Sequence, residues 1–311
     1  MKIKKNGLLQ DLYKNRVMWL MITPIIIFFF IFSYVPMVGI YYAFTHFNFR
    51  GGLFGSPFAG LDNFKFLFKG GSSAVIWTLT RNTALYNVAF ILIGNVLQIL
   101  TAIILCELPG RLYKKGVQSV MFLPYFISFV IVGVFVYNMF SFEYGLVNNL
   151  LKGLGKSPVN FYANTGVWKY IIVGAQIWKS LGYGTVIYLA AVIGIDRSIY
   201  EAADIDGANV FQKIRKITLP LLKPTFVLLL LFSLGSILKG QFDLFYQIIG
   251  KNGSLYGATD IIDTYVYRAL TVNFDVGLGT AAGLYQSFFG MVLVIGVNFI
   301  IRKVNDDYAL F

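Results

Sequence analysis

Two lysines, Lys179 and Lys239, stand inside long apolar runs, and each has polar or aromatic company. Gln176, Trp178 and Tyr183 surround the first, while Ser233, Ser236 and Gln241, followed by Asp243, surround the second. A lysine at the centre of a bilayer costs about 2.5–3.5 kcal/mol on insertion scales, so it normally turns toward protein, water or a ligand. Lys179 falls near the middle of its run, and Lys239 falls near an end, where its ammonium could snorkel. Aromatic faces that cover apolar C–H patches, beside groups that hydrogen-bond hydroxyls, suit a polyhydroxylated ligand. Two ammonium groups would add recognition of carboxylates. The competing reading pairs each lysine with a protein carboxylate, such as Asp243 for Lys239, or lets it snorkel.

Covalent chemistry has little support. His46 is the lone histidine and Cys106 the lone cysteine, which rules out an intrachain disulfide and a cysteine-rich metal site. The two fall in different layers, so no Ser/His/Asp or Cys/His set can form. Glu143, Asp260 and Asp275 are scattered, and nothing places two of them for acid/base work. The nearest approach to a phosphate-binding loop, Gly155-Lys156-Ser157, lacks the earlier glycine, because position 150 is Leu150. The chain is therefore read as non-enzymatic, with no cofactor of its own.

The elements that must position these residues are membrane helices. The chain is 57% hydrophobic and only 13% charged, against roughly 25% charged in soluble domains. Six runs are long enough to cross about 30 Å of hydrocarbon: 17–42, 83–106, 117–140, 170–193, 219–241 and 278–301. The first follows basic residues, as a signal peptide would, but is too long for one and lacks a cleavage pattern. Lysine and arginine collect on the cytoplasmic side, and with both termini inside, fifteen of the 26 lie there. The net charge of +12 is thus explained by span flanks rather than by a nucleic-acid surface. Trp19, Trp77 and Trp168 are expected as interfacial anchors, and Pro24, Pro36 and Pro124 as possible kinks.

Between runs four and five, on the expected inner side, lies the charged segment from Glu201 to Pro224, EAADIDGANVFQKIRKITLPLLKP. Ser198 and Glu201 have the spacing of a capping box that starts a helix. Gly207 permits a turn, and Val210 to Ile217 can form a second short helix. Pro220 then disfavours helix at Leu219 and suits the first turn of the next span. The expected product is a helix-turn-helix knob joined rigidly to a membrane helix.

That segment resembles the EAA loop of permease subunits of binding-protein-dependent ATP-binding-cassette importers. Glu201-Ala202-Ala203, Gly207 and Ile217-Thr218-Leu219-Pro220 match its pattern in spacing. The resemblance implies an all-α fold of six transmembrane helices, with the cytoplasmic coupling loop over 196–220 between helices four and five. A single permease domain would cover 17–301, between tails at 1–16 and 302–311. It implies that Glu201, Ala202, Ala203 and Gly207 dock on an ATPase subunit, with Ile217, Leu219 and Pro220 completing the element. The implied partners are a second, homologous permease, two ATPase subunits that bind ATP and Mg, an extracellular solute-binding protein and membrane lipid.

Two further stretches resemble sugar permeases: Phe58-Ala59-Gly60-Leu61-Asp62-Asn63-Phe64, and residues 263–288, which are similar to a subgroup importing oligosaccharides or polysaccharide fragments. Similarity to maltose-type permeases implies sugar contacts at Tyr183, Ser236 and Lys239, although lysine and serine stand here where that type has amides. Trp178, Lys179 and Ser233 complete the candidate substrate pathway. The expectation is an importer of oligosaccharide, with uronate-containing chains as one form. The alternatives are an importer of a non-carbohydrate solute and an ion-coupled secondary transporter. The latter would need acidic residues within spans, whereas Glu107 and Asp243 lie at span ends.

Overall fold

The computed structural model describes residues 13–69 and 75–304. Most of the expected tails at 1–16 and 302–311 lies outside the described residues. Apart from one isolated antiparallel bridge between Thr45 and Phe58, the described residues form helices and loops.

Among the described residues, four helices are long and apolar enough to cross a membrane: α1 (Arg16–Phe44), α3 (Val75–Glu107), α9 (Val210–Leu234) and α12 (Val276–Val304). Two bent pairs bring the number to as many as six. One is α4 (Arg111–Phe126) with α5 (Phe129–Phe140), bent by 96°. The other is α7 (Thr165–Ile193) with α8 (Arg197–Ile205), bent by 67°. Shorter helices fill the connections: α2 (Asp62–Phe68), α6 (Leu146–Gly153), α10 (Phe242–Ile249) and α11 (Ile262–Thr271).

The third and fifth runs differ from a simple sequence reading. Residues 117–140 are not one straight span, because Pro124 has no N–H and the helix stops at Phe126. Ser128 then caps the next helix, its hydroxyl accepting from the N–H of Ile131. The run at 219–241 ends as helix at Leu234, and 235–241 is irregular. Trp168 is also not an interfacial anchor. It is fully buried, with its indole N–H donating to the carbonyl of Phe161 at 2.7 Å.

Hydrocarbon offers no hydrogen bonds, so each helix break needs side-chain partners. At the α4–α5 break the partner is Lys179, whose ammonium donates to the carbonyls of Pro124 (3.3 Å), Tyr125 (3.0 Å) and Ile127. The Phe129 ring lies 4.8 Å from the same nitrogen. At 235–241, Asp263 accepts from the Gly240 N–H at 2.7 Å, and the Gln286 amide donates to the Leu238 carbonyl at 2.6 Å.

The frame is α3 packed along α7, with α4 against α7 and α9 crossing both. One core joins α3, α5, α7 and α10 through Tyr86, Val136, Ile172 and Phe245. A second joins the end of α1 to α3, α11 and α12 through Ala43, Leu79, Ile262 and Ala281. A third closes the other end of α3, α7 and α9 around Tyr188 and Leu222. Residues 58–64 act as a joint here, because the Asn63 amide donates to the carbonyls of Ala43 (2.9 Å) and Thr45 (3.0 Å) at the end of α1.

Lys179→Met should leave the carbonyls of Tyr125 and Ile127 without their donor, while that of Pro124 keeps the Ile127 N–H. Each unmet buried group costs about 1–3 kcal/mol, so thermal unfolding in detergent should move down by roughly 5 °C or more. An unchanged unfolding temperature would mean that the ammonium does not hold the break.

Candidate functional site

Three helices enclose a cleft of about 240 Å³. Each contributes one polar face. From α3 come Asn87, Asn95 and Gln98, from α7 come Gln176, Ser180 and Tyr183, and from α9 comes Ser233. Ser236 and Gln241 follow from the irregular segment. Positions 176, 180, 183, 184 and 187 recur at helical spacing, so one stripe of α7 lines the cleft.

The cleft is preorganised by its own hydrogen bonds. The Tyr188 hydroxyl lies 2.5 Å from Asn95 Oδ1, and Asn95 Nδ2 donates to the Ile91 carbonyl at 2.7 Å. Asn87 Nδ2 donates to the carbonyls of Thr83 (2.9 Å) and Lys239 (3.3 Å). Gln176 Oε1 is buried with no hydrogen-bond partner, so an acceptor is left for a hydroxyl entering the cleft. At Gly184 a Cβ would fall 2.1 Å from Gln98 Cδ, so the glycine is what lets that amide cross into the space between α3 and α7. One wall is aromatic: Tyr125 and Tyr183 stack with centroids 4.7 Å apart and planes 11° from parallel.

Of the residues singled out in the sequence, Gln176, Tyr183, Ser233, Ser236 and Gln241 come together here. Trp178, Lys179 and Lys239 do not line the cleft. Trp178 lies on another face of α7, stacked on Phe135 at 5.8 Å beside an apolar cavity. The Lys179 ammonium is taken up by the carbonyls at the α4–α5 break, so it is not free to meet a substrate carboxylate. Lys239 is exposed and, among the described residues, forms no ion pair with Asp243; its charge reaches the Asp263 carboxylate. Burial pushes the Asp263 carboxyl up, while the Gly240 N–H, the Gln286 amide and Lys239 pull it back.

The amides of α3 escaped the sequence reading. Their signal was the spacing of Asn87, Asn95 and Gln98, which places three amides along one side of the apolar stretch of α3. Tyr125 was equally unmarked, because only the break at Phe126 brings it against Tyr183.

At the opposite end of α7 stands the helix pair. α8 begins at Asp196, whose carboxylate accepts from the Ser198 N–H at 3.0 Å. Ser198 and Glu201 do not form the expected capping box. Asp196, two residues before Ser198, takes the capping role, and hydrogen bonds from Ser198 hold its carboxyl below the usual range. Gly207 has φ +75, a conformation that favours glycine, and the Ala208 N–H returns to the Ala203 carbonyl at 2.9 Å. A reciprocal capping box between Asn209 and Gln212 starts α9. Lys213 pairs with Asp204 at 2.7 Å, and the hydroxyls of Tyr200 and Thr218 meet at 2.8 Å.

No break occurs at Leu219–Pro220. The chain widens into a π turn over Ile214–Thr218 and runs on as α9 to Leu234, which accommodates the missing N–H of Pro220 without ending the helix. The knob is thus continuous with a helix that lines the cleft. Its surface carries exposed Ile205, Val210 and Phe211 beside exposed Glu201 and Ala202.

The sequence profile described as "Binding-protein-dependent transport system inner membrane component" matches residues 94–306. The chain belongs to that family. It is therefore a multi-pass membrane component of a transport system. It is 33% identical over 306 residues to a polygalacturonan/rhamnogalacturonan transport system permease, YteP of Bacillus subtilis, covering 98% of this chain and 94% of the relative. It is 31% identical over 290 residues to a trehalose/maltose transport system permease, MalF of Thermococcus litoralis, covering 92% of each. A chain in the crystal structure of a bacterial alginate ABC transporter, in complex with alginate pentasaccharide-bound periplasmic protein, superposes with a TM-score of 0.84. The two are 32% identical, and the match covers 96% of this chain and 98% of that one.

Gly184→Ala should push the Gln98 amide out of the cleft while leaving the helix intact. A hydrogen bond from that amide to the substrate is worth about 1 kcal/mol. Without it, the KM for transport should rise about fivefold at an unchanged unfolding temperature. An unchanged KM would remove Gln98 from the pathway.

Proposed function

We propose that the chain is a permease subunit of an ATP-driven importer and passes an oligosaccharide, in its uronate-containing form, through the α3–α7–α9 cleft. The observation that carries this reading is the cleft itself. It offers amides, hydroxyls and a stacked tyrosine pair, the groups that bond sugar hydroxyls and cover sugar C–H faces. The relatives that transport polygalacturonan, rhamnogalacturonan and alginate support an acidic sugar. With Lys179 engaged elsewhere, the neutral Gln98 amide, whose N–H groups no protein acceptor takes up among the described residues, would donate to the uronate in the cleft.

The α8–α9 knob is the contact for a separate ATPase subunit. Glu201, Ala202, Ala203 and Gly207 form the docking element, and Ile217, Leu219 and Pro220 carry its motion into α9. Exposed Ile205 and Phe211 supply apolar surface that an ATPase groove would bury. ATP and Mg belong to two such subunits, and a second, homologous permease closes the cleft from the other side. The distribution of lysine and arginine supports six spans, with both termini and the knob in the cytoplasm. A loaded solute-binding protein then docks on the opposite face. Loading and ATP shift the population between inward and outward states only through their differential affinity for the two.

The test is ATPase activity of the complex in nanodiscs, assembled from this chain, its neighbouring permease, the ATPase and the binding protein. Stimulation should follow loading with oligogalacturonates. Gly207→Pro, which forces φ near −65° where +75° is needed, should reduce stimulation at least about tenfold while the subunits still co-purify. Absence of stimulation by any acidic or neutral oligosaccharide would overturn the sugar assignment. Full stimulation in Gly207→Pro would overturn the coupling assignment.

A further inference from the structure

A second cavity, of about 370 Å³, lies between α10, the 250–260 segment and α11, and shares no lining residue with the cleft. Its volume is within the range of small-molecule sites, roughly 300–1,000 Å³. It is built at the end of α9 away from the knob, on the side where the binding protein would dock.

Its chemistry is specific. Asp260 is buried, and its two oxygens accept from Arg268 at 2.9 and 2.5 Å, with the Thr264 hydroxyl donating at 2.6 Å. The guanidinium sits 4.0 Å from the centroid of the Tyr256 ring. These contacts use two of its five N–H donors on Asp260 and fix its plane, leaving donors for a further acceptor. Half-buried Tyr246 and Tyr267 meet edge to face at 4.9 Å and form an aromatic wall. Lys251 completes the lining, and no carboxylate lies within ion-pairing distance of it among the described residues. The Arg268–Asp260 pair is neutral as a unit, so Lys251 gives the cavity one net positive charge.

We propose that this cavity holds one uronate residue of the oligosaccharide before the chain enters the cleft. Tyr246 and Tyr267 cover the sugar's C–H face, the Arg268–Asp260 pair bonds its hydroxyls, and Lys251 meets its carboxylate. The division of labour is then explicit: the outer cavity supplies the cationic recognition that the cleft lacks, since neither Lys179 nor Lys239 lines the cleft. The inference rests on the oligosaccharide reading above and extends it to a second subsite.

The test measures binding of trigalacturonate and of neutral maltotriose to the nanodisc complex without binding protein, by equilibrium dialysis. Trigalacturonate should bind more tightly than maltotriose, and less tightly as salt rises. Lys251→Gln should weaken trigalacturonate at least about fivefold, Lys251→Arg should restore it, and Tyr267→Leu should weaken both sugars. Ser236→Trp, which fills the cleft, should leave trigalacturonate bound. The proposal is overturned if Lys251→Gln and Tyr267→Leu bind as wild type, or if Ser236→Trp abolishes all binding. It is also overturned if the cavity variants lower only stimulation by the binding protein, which would make the cavity a protein-docking surface. Failure of wild type to bind or transport either sugar would instead remove the oligosaccharide reading itself.

Discussion

A backbone carbonyl left bare in hydrocarbon has no water to turn to. That constraint governs where this chain can stop being helical. It does so at Phe126 and over 235–241, and at both places side chains from other helices complete the hydrogen bonds, whereas over Ile214–Thr218 the helix only widens. Lys179 does it with an ammonium, Asp263 and Gln286 with a carboxylate and an amide. Of the two lysines that look most like ligand contacts in the sequence, the backbone claims Lys179, and Lys239 is exposed outside the cleft. What remains to line the cleft is neutral.

The breaks are also what make a cleft possible. Ending α4 at Phe126 brings Tyr125 onto Tyr183. Ending α9 at Leu234 brings Ser236 and Gln241 over the polar stripes of α3 and α7. The packing of α3 along α7 holds this arrangement, and the third core around Tyr188 and Leu222 ties it to the base of α9. Because α9 runs unbroken from Val210, a displacement of the knob has a direct mechanical route to Ser233. The π turn over Ile214–Thr218 is the one place on that route where the helix is widened, and Tyr200 braces it through Thr218.

Much of this was legible in the sequence, for physical reasons. The knob was readable because Gly207 must adopt a conformation other residues resist, and because motif spacing is local. Tyr183, Ser233 and Ser236 were readable as polar or aromatic residues in apolar runs. The cap of α8 was misread by two residues, since Asp196 and Ser198 are both capable caps and only the entry angle after Gly194 chooses between them. Lys179 could not be assigned from sequence, because its partners are carbonyls 52 to 55 residues away and exist only once the third run has broken. The same holds for Pro220, whose effect depends on whether the preceding turn widens or ends.

The claim at the centre is that the face of α7 bearing Gln176, Ser180 and Tyr183 is the sugar path and that the face bearing Trp178 is not. Site-specific photo-crosslinking tests it most directly. A benzophenone amino acid placed at Ser236 or at Trp178, in the complete transporter trapped with binding protein and labelled oligogalacturonate, would report which face the sugar passes. Transfer of label to this chain from position 236 and not from 178 is the result predicted. Transfer from 178 with none from 236 would contradict the assignment of the cleft.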